Sequence, residues 1–110
     1  MISKQHDNHV LLTDERGDLQ GFAIFLTGIW EQFAGVNVII DLAQYDQATL
    51  EDFLAFLLLS NKHRATKQSF IMINDSASMD HVPEELMIVP TYQEAMDVLE
   101  MEEIERDLGF

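Results

Sequence analysis

Cysteine is absent from this chain of 110 residues, which removes disulfides, thiolate chemistry and cysteine-ligated zinc from consideration. Basic side chains are scarce. Six Lys and Arg stand against 20 Asp and Glu, for a net charge of −14. Phosphate backbones and anionic headgroups are held by clustered Lys and Arg, so neither nucleic acid nor a membrane surface is an expected partner. The one basic cluster, Lys62, His63, Arg64 and Lys67, reads as favourable charge at a helix C-terminus. No apolar run approaches the roughly 20 residues that cross a bilayer. The stretch from Met1 to His9 lacks the apolar core of a signal peptide, and with the missing cysteine this sets the expectation of a cytoplasmic protein. No glycine-rich phosphate loop follows an apolar run, and no cofactor is expected.

What remains is an ordinary globular composition. Hydrophobic residues make up 47% of the chain, enough for one domain over 1–110 to bury a core. Val10–Thr13 reads as a short strand in a hairpin with residues near Ile2, and the turn Asp14–Asp18 places Gly17 where a positive φ is useful. Leu19, Phe22, Leu26, Ile29 and Phe33 recur at helical spacing, which predicts an amphipathic helix over 19–33 closed by Gly35. Gly21 and Gly28 weaken that helix and permit close packing against a neighbour. Val38, Ile39 and Ile40 form an unbroken β-branched run in a strand over Asn37–Leu42, which needs cover on both faces and so is central.

A helix over 49–64 comes next, with Thr49 as N-cap, Glu51 and Asp52 in its first turn, and Asp52 at the capping-box spacing. Ser69–Asn74 is a second buried strand, 75–85 a loop limited by Pro83, and Leu86–Val89 a third strand stopped at Pro90. Thr91 and Glu94 open, as a capping box, a last helix that runs to Leu108. Alternating strands and helices predict an α/β domain with a mainly parallel sheet.

Three segments resemble the STAS domain, the family that includes the bacterial anti-sigma-factor antagonists. They are Val38-Ile-Ile-Asp-Leu-Ala43, the helix opening at Leu50-Glu51, and the close Val89-Pro-Thr-Tyr-Gln-Glu-Ala-Met-Asp-Val98. The tail Met101–Leu108 is similar to that of small STAS-like proteins of the Bacteroidetes type. The resemblance covers most of the chain and rests on order and spacing. It implies an STAS-like α/β fold: a small, mainly parallel sheet of about four to five strands with an N-terminal edge strand or hairpin, packed against about three to four helices. It also implies a protein partner such as an anti-sigma-factor kinase.

In that family an Asp-Ser-Ser-Gly-Leu motif opens the helix after the central strand, and the kinase phosphorylates its second serine. Counted from Asp41, the motif falls on Thr49-Leu-Glu-Asp-Phe53, so Glu51 takes the serine's place and Asp52 the glycine's. The hydroxyl that would be the switch is missing. A carboxylate at Glu51 either imitates phosphoserine or only favours the helix start. The segment after Asn74 is also shorter than the helix that the family usually carries there.

Other chemistry finds little support. His6 and His9 stand without further ligands, so no metal site is expected. Asn74, Ser76, Ser78, Asp80 and Glu85 approximate calcium-loop spacing, but Met79 occupies the glycine position and Pro83 intrudes. Ser60, Ser69, Ser76 and Ser78 lack a nucleophile-elbow context, and the His-x-His-x-Asp-His cluster of a metal-dependent nuclease does not occur. The helix over 49–64 raises a different question. Leu50, Phe53, Leu54, Leu57 and Leu58 form the stripe assigned to the core, which leaves Phe56 and Leu59 on the outer side as a partner patch or a second buried face. In the last helix Tyr92, Ala95, Met96 and Leu99 suit the core, while Met101, Ile104 and Leu108 extend an apolar strip among carboxylates.

The sequence therefore reads as a non-catalytic protein-binding module, resembling a degenerate anti-sigma-factor antagonist. Its partner-binding residues are Asp46, Thr49, Glu51, Asp52, Phe56 and Leu59, with Glu51 as the phosphosite equivalent. The alternative is a structural or assembly subunit that homodimerises or joins a larger enzyme. No catalytic residue or metal enters either reading.

Overall fold

The most apolar stretches of the chain become the centre of a sheet. The computed structural model describes residues 1–76 and 82–109. Its strands are β1 (Ile2–Gln5), β2 (Val10–Thr13), β3 (Val38–Asp41), β4 (Phe70–Ile73) and β5 (Met87–Val89), hydrogen-bonded in the order β1-β2-β3-β4-β5. β1 pairs antiparallel with β2 as the N-terminal hairpin, and the remaining pairs are parallel. This is an α/β fold with a mixed five-stranded sheet. The strands expected over Asn37–Leu42, Ser69–Asn74 and Leu86–Val89 are all present, shorter at their ends. Side chains join the last backbone bonds there: Asn37 Oδ1 accepts from the backbone N–H of Ser69 at 2.8 Å, and Asn74 Nδ2 donates to the Leu42 carbonyl at 2.9 Å.

The helices are α1 (Leu19–Ile29), continued by a 3-10 turn over Trp30–Phe33, then α2 (Leu50–Leu54), α3 (Leu57–Arg64) and α4 (Tyr92–Asp107). From β2 to β5 the chain always steps to the next strand in the same direction. Parallel crossovers are right-handed as a rule, so such stepping sends every connection to one side of the sheet. That side buries Leu12, Ile40, Met72 and Ile88 under α1 and α3. The other side buries Ile39, Ile71, Ile73 and Val89 under Ala95 and Leu99 of α4, the one helix on that side among the described residues. No helix among the described residues is long and apolar enough to cross a membrane.

Two expectations about helices are corrected. The helix over 49–64 is broken at Ala55–Phe56, where the Phe56 N–H bonds three residues back to the Phe53 carbonyl at 3.0 Å. A three-residue repeat at the joint puts Phe53, Phe56 and Leu59 above one another. These are the residues that face the core: Phe56 is fully buried and Leu59 is 5% exposed. Phe56 meets Phe22 of α1 edge-to-face, with ring centroids 6.3 Å apart. Leu50, Leu54 and Leu58, assigned to the core by their four-residue spacing, lie outside instead, and Leu58 is 84% exposed. Phe56 and Leu59 are therefore not a surface patch.

The second correction concerns the basic cluster. His63 is buried between Trp30 Nε1, which donates to its Nδ1 at 3.0 Å, and the Val36 carbonyl, which accepts from its Nε2 at 2.7 Å. Burial lowers its pKa, so it is a neutral core residue and not helix-end charge.

Smaller differences have local causes. Thr91 caps α4 by accepting from the Glu94 N–H at 3.1 Å, but Glu94 does not return the bond that a full capping box requires. Gly21 is needed because a Cβ there would strike the Asp18 carboxylate that caps α1, and Gly28 faces open space, so neither serves close packing against a neighbouring helix. Gly17 and Gly35 adopt the positive φ of 80° that their turns demand. In the connection before β5, the Leu86 N–H bonds to the Pro83 carbonyl at 3.0 Å; residues 77–81, including Ser78 and Asp80, lie outside the described residues.

This packing sets opposite expectations for two residues two positions apart. Phe56→Ala should cost about 3–5 kcal/mol by opening a cavity beneath Phe22, and Leu58→Ala should stay within about 0.5 kcal/mol. Urea unfolding distinguishes them, and equal losses would contradict the observed helix phase.

Candidate functional site: the loop cleft at the strand ends

At the C-terminal ends of β2 and β3, the loops 14–18 and 43–49 leave a cleft of about 540 Å³ between them. Its floor is laced by side chains. Asp14, buried just after β2, accepts a short hydrogen bond from the Tyr45 hydroxyl, and its carbonyl accepts from Gln44 Nε2 at 2.7 Å. The Tyr45 carbonyl in turn accepts from Asn74 Nδ2 at 2.8 Å, just after β4. Three neighbouring strand ends are thus tied through one tyrosine.

The electrostatics follow from this lacing. Burial raises the Asp14 pKa, but the Tyr45 hydroxyl and the backbone N–H groups of the loop, Arg16 first, outweigh it and hold the carboxyl below its ordinary value. Tyr45 shifts the other way, through burial and then its bond to the Asp14 carboxylate, and stays a protonated donor. Arg16 is held over the ring of Phe25, 4.8 Å from its centroid, a cation–π contact that leaves its head at the cleft mouth.

The helix starts form the walls. Asp18 caps α1 through the Gly21 N–H at 3.1 Å. Thr49 and Asp52 form a complete capping box at α2: the Asp52 N–H donates to Thr49 Oγ1 at 3.3 Å, and the Thr49 N–H donates to Asp52 Oδ2 at 2.9 Å. The Thr49 backbone bond is the main cause that lowers the Asp52 pKa. Gln20 Nε2 bridges from α1 to Asp52 Oδ1 at 3.1 Å and links the two helix starts.

The expected site residues divide accordingly. Asp46 and Asp52 line the cleft. Thr49 and Glu51 are exposed beside it at the start of α2, and Phe56 and Leu59 belong to the core. Arg16, Gln44 and Tyr45 also line it, and Asp14 and Asn74 hold Tyr45; spacing marked none of them except Asn74, and that for a different chemistry. The only available sign was a polar loop after each apolar run, which cannot say which polar residue turns inward.

The rejected chemistries also have definite places. His9 is buried, its Nε2 accepting from the Tyr92 hydroxyl at 2.7 Å and its Nδ1 bonded to Asn8 Oδ1 at 2.8 Å, so both ring nitrogens are occupied by neighbours. Ser69 Oγ accepts from Arg106 at 3.0 Å, and Ser76 Oγ donates to Asn74 Oδ1 at 2.6 Å. No family model matches this chain, and no curated protein matches it.

Asp14 has a folded pKa below its unfolded value of about 3.9. Its contribution to stability is therefore present above that pH and lost as pH falls through the folded pKa. Tyr45→Phe removes the side-chain donor while keeping the ring. It should cost about 1–3 kcal/mol at neutral pH and flatten the loss of stability below about pH 4. Thermal melts across pH measure both effects; an unchanged acid limb would mean that the backbone donors alone hold the carboxylate.

Proposed function

We propose that this chain is a non-catalytic, STAS-like protein-binding module of the cytoplasm, a degenerate relative of the anti-sigma-factor antagonists that docks a protein at the β3–α2 edge. The observation behind this reading is the capped helix start itself. β3 ends at Asp41, the capping box of Thr49 and Asp52 fixes α2, and Glu51 stands exposed in the first turn. That is the position to which the family resemblance assigns the phosphorylated serine. The mixed five-stranded sheet with its N-terminal hairpin also agrees with the architecture that the resemblance implies.

The carboxylates around the cleft favour recognition over chemistry. Asp14 and Asp18 accept hydrogen bonds from backbone N–H groups of the turns that they start, and Asp52 accepts from the Thr49 N–H at the start of α2. Asp46 and Glu51 are exposed and free to meet a polar partner surface, and Arg16, exposed over the Phe25 ring, stands beside them. Since Glu51 supplies a fixed negative charge, the module is in one binding state and is not switched by phosphorylation at that position. The partner surface comprises Asp46, Thr49, Glu51 and the outer edge of Asp52.

A second reading, a homodimerising or assembly subunit, draws on the exposed stripe Leu50, Leu54 and Leu58. One experiment separates the two. If Glu51 stands in for phosphoserine, Glu51→Ser should tighten binding to an anti-sigma-factor kinase in titration calorimetry. Unchanged affinity, with a wild-type dimer that Leu58→Glu disperses in light scattering, would contradict the first reading in favour of the second.

A further inference from the structure

Helix α4 presents two apolar faces, and the fold uses only one. At 3.6 residues per turn, the buried pair Ala95 and Leu99 marks the side against the sheet. Met101, Ile104 and Leu108 fall on the opposite side and are 59%, 59% and 68% exposed. Their steps of three and four residues are those of a helix–helix seam.

Charge decides what can cover this seam. Asp97, Glu100, Glu105 and Asp107 are exposed along the helix. Its one basic residue, Arg106, is turned inward, donating to Ser69 Oγ at 3.0 Å and Asn37 Oδ1 at 3.2 Å. Pairing two copies of this face would set carboxylates against carboxylates in chains of net charge −14 each. Acidic groups also sit unfavourably near the negative end of the helix dipole, where added positive charge relieves them.

We propose that the outer face of α4 docks a basic amphipathic helix of another protein. Apolar side chains of that helix cover Met101, Ile104 and Leu108, and its Lys and Arg residues pair with the flanking carboxylates. This surface is separate from the β3–α2 edge and does not depend on the reading of Glu51.

Fluorescence anisotropy of the full chain tests this. The probe is a labelled synthetic helix with leucine at a and d positions and lysine at the remaining ones. Saturable binding is expected, weakened about tenfold or more by Ile104→Ser, which removes apolar surface and leaves the charge unchanged. Ile24→Ser, at an isoleucine of α1 that is 75% exposed and lies across the sheet from α4, should bind as the wild type does. Equal binding by wild type and Ile104→Ser would reduce the attraction to charge alone and overturn the proposal. A wild-type dimer in sedimentation velocity that Ile104→Ser converts to monomer would also overturn it, by assigning the face to a second copy.

Discussion

One topological constraint governs this molecule: the parallel strands are laid down in a single direction, so the connections described between them all pack on the same side. α1, α2 and α3 share that side, and among the described residues the opposite side of β3, β4 and β5 is covered by α4. Without α4, Ile39, Ile71, Ile73 and Val89 would face water, at roughly 1.5–3 kcal/mol for each large side chain left exposed. The helix is accordingly fastened by polar contacts as well as by packing. Arg106 reaches Ser69 and Asn37, Glu102 pairs with Arg64 at 3.3 Å, and Glu103 accepts from Asn8 at 2.9 Å. Those three anchors lie in the second half of α4, and the Tyr92 hydroxyl adds a bond to His9 at 2.7 Å at its first turn.

The same constraint shapes the cleft. In doubly wound sheets a ligand crevice opens where neighbouring connections leave toward opposite faces. Here the connections after β2 and β3 leave toward one face, and the gap between them is a meeting of two loops. Tyr45, which lines the gap, is bonded to Asp14 and to Asn74 and so ties the three strand ends together. The proposed docking of a polar protein surface rests on this polar, loop-walled recess beside a capped helix start. The acidic balance of the chain extends this logic to α4, where the exposed apolar strip is bordered by carboxylates.

The legible parts of the sequence were those with strong local causes. Val38–Ile40 and Phe70–Ile73 are apolar on both sheet faces and have no alternative to a central position. Thr49 and Asp52 announce a helix start through their spacing, and both bonds of that capping box are present. Helix phase was harder. Phe53 to Leu59 is apolar all round, so spacing could not choose which face turned inward, and one tightened turn at Phe56 reversed the expected assignment. Buried polar residues were hardest. Nothing in the pattern around Asp14 or Tyr45 distinguishes them from solvated loop residues, because they are each other's partners across 31 positions.

The central claim is that α4 closes the sheet as an integral part of the core. Native-state hydrogen exchange tests it most directly, by comparing amides of β3 and β4 with those in the middle of α4. Both sets should exchange with the same free energy, equal to that of global unfolding. Exchange in α4 at a much lower free energy, with β3 and β4 still protected, would contradict the claim.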